Sequence, residues 1–167
     1  MKIIGFLLLS LLSLCAKSSQ DERIIFGGDL ITKKFETFKL RHNTCMEESK
    51  KNILSKKTIN TLQKFPISTG ESLGYLNLKA IRLCASPEYN DLTRLLLTVE
   101  SANRDSKNIK VQKQIANIKL LLFPIGEFVV EKKYYELSDK TKIILNNIKE
   151  LNEPFDMVNA FERAWLN

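Results

Sequence analysis

Histidine is nearly absent: His42 is the only one, and cysteine stops at three. One His and no closely spaced Cys pair leave little material for a zinc or haem site, and no C-x-x-C pair is present for redox exchange. Glycine (six) and proline (four) are too few for a collagen-like or low-complexity chain. The Gly-x-Gly-x-x-Gly, P-loop, G-x-S-x-G and H-E-x-x-H patterns are missing. No Asn-x-Ser/Thr sequon occurs; Asn43-Thr44-Cys45 is only the rare cysteine form. The reading from residues alone is therefore a protein without metal, cofactor or catalytic residues.

What is present is ordinary globular material: 167 residues, 44% hydrophobic and 27% charged. Lys2 precedes an apolar run from Ile3 to Leu14, and Ala16-Lys17-Ser18 fits a small-x-small cleavage pattern. This is the pattern of a secretory signal peptide over 1–18, since the run is shorter than the ~20 apolar residues of a membrane span. No transmembrane segment is expected after its removal. Cys15 stands where a bacterial lipoprotein carries its lipidated cysteine. Leu14 departs from the Gly, Ala or Ser that a lipobox wants there, so Cys15 is read as leaving with the leader. The expected destination is periplasmic or extracellular, and abundant Lys, Asn and Ile suggest an AT-rich bacterial genome.

Cleavage after Ser18 leaves 24 basic against 19 acidic residues, a net of +5. About 150 residues suffice for one core, so 19–167 is expected to be a single helical domain. Gly27-Gly28 reads as a turn, with Asp29 capping a helix from Leu30 to Lys51 whose face carries Ile31, Phe35, Phe38, His42 and Cys45. Ile59, Leu62 and Phe65 mark a short helix stopped by Pro66. Ser68 and Glu71 have capping-box spacing before a stripe of Leu73, Leu76, Ala80, Leu83 and Cys84. Ser86-Pro87 opens a helix burying Leu92, Leu95, Leu96 and Val99; a polar break at 103–107 precedes Val111, Ile115, Ile118 and Leu122. Residues 125–137 suit a hairpin or a helix, with the helix preferred. Ser138 caps a helix carrying Ile144, Ile148 and Leu151, and Pro154 opens a last one with Phe155, Val158, Phe161 and Trp165. No segment alternates long enough for a central sheet. The fold class is all-α, a compact bundle of six or seven amphipathic helices.

Cys45 and Cys84 both fall on apolar faces, and in an oxidising compartment they are expected to pair. His42 shares a face with Cys45, but a disulfide would consume the thiol of any Cys–His pair. Residues 31–60 hold eight basic residues and three glutamates. Lys33, Lys34, Lys39, Arg41, Lys50, Lys51, Lys56 and Lys57 are the candidate partner-binding residues, forming a basic face for an acidic protein partner. Nucleic acid is not expected, because no aromatics interleave with these residues.

The plan resembles small periplasmic immunity proteins, which block a toxin from a neighbouring cell and are often all-α with one disulfide. The helix bearing Cys45 and then Glu48 is also similar to that of insect odorant-binding proteins, which have more cysteines. The leading expectation is an exported, non-enzymatic binding protein of inhibitor or immunity type. Two alternatives stay open. One is a carrier of a small apolar ligand in a cavity lined by residues such as Phe35, Leu73, Leu96 and Ile115. The other is a secreted hydrolase with paired carboxylates, for which Glu71 and the Glu47-Glu48 pair are the acids to consider.

Overall fold

The computed structural model describes the backbone of residues 3–166 and the side chains of residues 21–166. The expected leader and Cys15 lie outside the residues whose side chains are described. Among the described residues there are eight α-helices and no strand: α1 (Ile3–Lys51), α2 (Lys56–Leu62), α3 (Glu71–Cys84), α4 (Ser86–Ser106), α5 (Ile109–Leu122), α6 (Glu127–Tyr135), α7 (Asp139–Asn146) and α8 (Met157–Phe161). The class is all-α as expected, with one or two helices more than anticipated. Among the described residues no helix is long and apolar enough to cross a membrane. Contacts group the chain into two compact units, Met1–Glu36 with Asn90–Leu122, and Thr37–Tyr89 with Phe123–Asn167.

In the first unit, the expected turn at Gly27-Gly28 is absent; α1 runs straight through it. Both glycines are buried and serve close approach. A Cβ on Gly27 would lie 2.7 Å from Val99 of α4, and one on Gly28 would lie 3.1 Å from Val111 of α5. Gln114 donates to the Gly28 carbonyl at 2.7 Å, tying α5 to α1. The expected stripes of α4 and α5 are all buried: Leu92, Leu95, Leu96, Val99, and Val111, Ile115, Ile118, Leu122. The break between these helices falls at Lys107, whose φ is +54°, at the end of the expected stretch 103–107. Asn103, still inside α4, holds it. Its side-chain oxygen accepts from the Asn108 N–H (2.9 Å) and Ser106 hydroxyl (3.1 Å), and its amide donates to the Asn108 carbonyl (3.0 Å). Asn103 is buried, so Asn103→Ala leaves the Asn108 N–H without its side-chain acceptor, while the Asn108 carbonyl keeps its bond from the Gln112 N–H at 3.0 Å. A loss of roughly 1–3 kcal/mol is expected in denaturant melts; an unchanged midpoint would show that water replaces the acceptor of the Asn108 N–H.

In the second unit, the expected capping box does not form. Ser68 lies in a 3-10 turn (Ile67–Gly70) that runs directly into α3, and Gly70 at the cap makes no side-chain bond. The inward face of α3 is Leu73, Leu76, Ala80 and Ile81, while Leu83 is exposed. Residues 127–135 are helical, as preferred. Ser138 does cap α7, accepting from the Thr141 N–H. That helix ends at Asn146, so Leu145 rather than Ile144 is its buried residue, and Leu151 follows on a 3-10 turn. Phe155 is fully buried but precedes α8, and Val158 is exposed. Both departures follow from Asp156, not Pro154, being the cap: its carboxylate accepts from the Asn159 N–H at 2.9 Å. The core gathers Leu54, Ile59, Leu62, Leu73, Leu76, Tyr134, Leu145, Leu151 and Phe155. α3 and α6 are joined by ion pairs Arg82–Glu127 and Lys133–Glu71 and by the stacked rings of Tyr75 and Tyr134.

Candidate functional site

Three helices of the second unit each present one short stripe to a common groove. Gly70, Glu71 and Gly74 come from the start of α3, Val129, Val130 and Lys133 from α6, and Met157 and Phe161 from α8. The i, i+4 spacing within each set is what places its members on one side of a helix. The groove holds about 510 Å³. Glycine lets the walls close up at one end: a Cβ on Gly70 would run into the Phe161 ring and lie 3.2 Å from Trp165. At Gly74 a Cβ would lie 3.1 Å from Val130 and 3.6 Å from the Met157 sulfur. A side chain at either position would push Phe161 or Val130 away from α3 and reshape the groove wall.

Glu71 and Lys133 are the titratable groups of this lining, and they pair at 3.1 Å. The hydrogen bond from Lys133 to Glu71, with the added attraction of Glu71 and Glu136, raises the lysine pKa above its ordinary value. Both side chains are about half exposed, so the pair sits at a lip rather than in the floor. Beside it, exposed Ile125, Phe128 and Val129 extend the apolar surface along the start of α6.

The anticipated features fall elsewhere. Cys45 and Cys84 are joined, with Cα atoms 6.0 Å apart, packed with Phe38, Ile81 and Ala85. Glu48 brings a carboxylate near both sulfurs, but bonded sulfurs offer no thiolate to a metal. His42 lies against Phe38, ring centroids 5.4 Å apart. Burial, and then the positive charge of Arg82, lower its pKa below 6.5. The unfolded chain therefore takes up the proton first. Stability is expected to fall as pH drops below 6.5 and to level off once the folded imidazole is also charged. His42→Phe should flatten that slope in melts across pH 5–8; a slope surviving the substitution would assign it to another group.

The eight basic candidates do not act alike. Lys33 and Lys34 belong to the first unit, where Lys34 meets Asp91 at 2.5 Å. The other six belong to the second. Lys39 is exposed on α1. Arg41 is half-buried and donates to the Cys84 carbonyl at 3.2 Å, closing the end of α3. Lys50 pairs with Glu47 at 2.7 Å. Lys51, Lys56 and Lys57 are exposed around the α1–α2 link. Of the residues suggested for an apolar cavity, Leu73 is fully buried core of the second unit, whereas Phe35, Leu96 and Ile115 belong to the first. Glu47, Glu48 and Glu71 have separate neighbours: Lys50, the Cys84 sulfur and Lys133.

Sequence reasoning missed the groove. Its signal lay in residues 125–137, which carry more apolar side chains than one buried stripe can use; α6 fully buries only Tyr134. Comparison with protein-family models, curated proteins and solved structures gives no match.

Proposed function

We propose that this chain is an exported, non-enzymatic helical binding protein whose site is the groove between α3, α6 and α8, and that the groove takes a small apolar ligand. The observation that carries this reading is the groove itself. Its volume of about 510 Å³ falls among those of small-ligand sites, and its walls are glycine, valine, methionine and phenylalanine, with one self-neutralised ion pair. The Cys45–Cys84 bond is compatible with an oxidising destination.

Trp165 is the chain's only tryptophan, and its ring centroid lies 5.5 Å from that of Phe161 in the groove wall. A ligand entering the groove should shift its emission. Titration with dodecanol is expected to give a saturable shift. Gly74→Leu, which crowds Val130 and Met157 in the groove wall, and Val129→Glu, which makes an exposed wall polar, should each weaken it at least tenfold. Non-saturable dodecanol uptake, or equal affinity in both variants, would remove the carrier reading.

A second reading keeps a basic protein-facing surface, because Lys51, Lys56 and Lys57 are exposed within seven residues of chain. In that case an acidic protein partner should associate more slowly with the triple Lys→Glu variant at low salt, and the difference should shrink as salt screens it. Equal association rates at low salt would leave these lysines as solvated surface.

A further inference from the structure

We infer that the groove's ligand is a single-chain amphiphile with a carboxylate head, a free fatty-acid-like molecule, held by Lys133 in the place now taken by Glu71; this rests on the groove being a ligand site. An apolar trough alone selects only for apolar surface. The lip adds a sign.

Lys133 lies in the last turn of α6 and is held in its charged form by neighbouring carboxylates. Glu71 is the first residue of the 14-residue α3, directly after the 3-10 turn Ile67–Gly70, in the first turn where the helix favours a carboxylate. A carboxylate therefore already occupies this corner, between a lysine and a helix N-terminus. Glu71 acts as an internal stand-in for the ligand's head. Its side chain is 55% exposed, so on displacement it turns into water at little cost while remaining beside the helix end that favours it. An ammonium head would reverse the exchange: it would displace Lys133 and place a second cation near the positive end of α3. Without the expected leader the chain carries +5, and its field draws anions toward the surface and repels cations. The hydrocarbon tail would run from this lip along Val130 and Met157 toward Phe161.

The test compares dodecanoate, dodecanol and dodecyltrimethylammonium in the same Trp165 titration, each below its micelle concentration. Wild type should prefer dodecanoate to the ammonium amphiphile. Glu71→Gln removes the internal competitor and should tighten dodecanoate about threefold, the scale of a half-exposed ion pair. Lys133→Met should bring the dodecanoate-to-dodecanol affinity ratio close to one. Equal affinity for all three heads in wild type, or a carboxylate preference that persists in Lys133→Met, overturns the head-group assignment while leaving the groove as an apolar site. Absence of saturable binding by every amphiphile overturns the groove itself.

Discussion

Reduction of the Cys45–Cys84 bond is expected to lower the free energy of unfolding by about 4 kcal/mol, the chain-entropy value for a loop of this length. The two residues are 39 positions apart. Opening the bond gives the unfolded chain back the freedom of a loop containing α2, the following 3-10 turn and α3. The folded state also loses an anchor, since Cys45 is fully buried and Cys84 packs beside it. Denaturant melts of oxidised protein, reduced protein and the Cys45→Ala/Cys84→Ala double variant check this. The reduced and double-variant midpoints should fall together, well below the oxidised one. Coincident midpoints for all three would mean that the unfolded chain already holds these segments close, leaving the crosslink little to remove.

Phe155→Ala should cost a comparable 3–5 kcal/mol, the usual range for deleting a buried aromatic ring. Phe155 is fully buried within the main core of the second unit. The surrounding backbone cannot readily sink into the vacancy, because it is fastened on both sides. Asn52 donates its side-chain amide to the Pro154 carbonyl at 2.8 Å, and its own carbonyl accepts from the Asp156 N–H at 2.9 Å. The Phe155 N–H donates to Asn77 of α3 at 3.2 Å. Such a pinned site keeps its cavity, which places the expected loss toward the upper end of the range. Phe155→Leu should recover more than half of it. A loss below about 1 kcal/mol for the alanine variant would show that the loop collapses after all.

Helix type was readable wherever apolar residues recurred at three and four. The stripes of α4 and α5 were legible residue by residue because each of these helices buries one face. The same rule failed at the start of α8, where Phe155 is buried from the preceding loop and Val158 faces out. A buried residue just before a helix keeps the spacing of a helical stripe without belonging to one. Gly27-Gly28 misled for another reason. Paired glycines serve turns and close helix contacts equally well, and only the positions of Val99 and Val111 decide between them. The disulfide was legible from two cysteines on apolar faces. The groove was not, since its stripes come from residues 70–74, 129–133 and 157–161, and sequence does not reveal which helices become neighbours. Net charge was countable, but the diversion of Arg41 to the end of α3 depends on Cys84 being brought beside it.

The second unit is assembled from two stretches of chain, Thr37–Tyr89 and Phe123–Asn167, with part of the first unit encoded between them. For a polypeptide that emerges N-terminus first, this imposes a waiting time. α3 is complete long before α6 and α8 arrive, and the Leu73–Leu76 face stays wet until then. Cys45 and Cys84 both lie in the early stretch. The crosslink can therefore close while the rest is still being delivered, holding α3 against α1 ready for the later helices. The groove, which needs both stretches, is then among the last features to exist, and an oxidant supplied late should yield slower recovery of the groove than one supplied early.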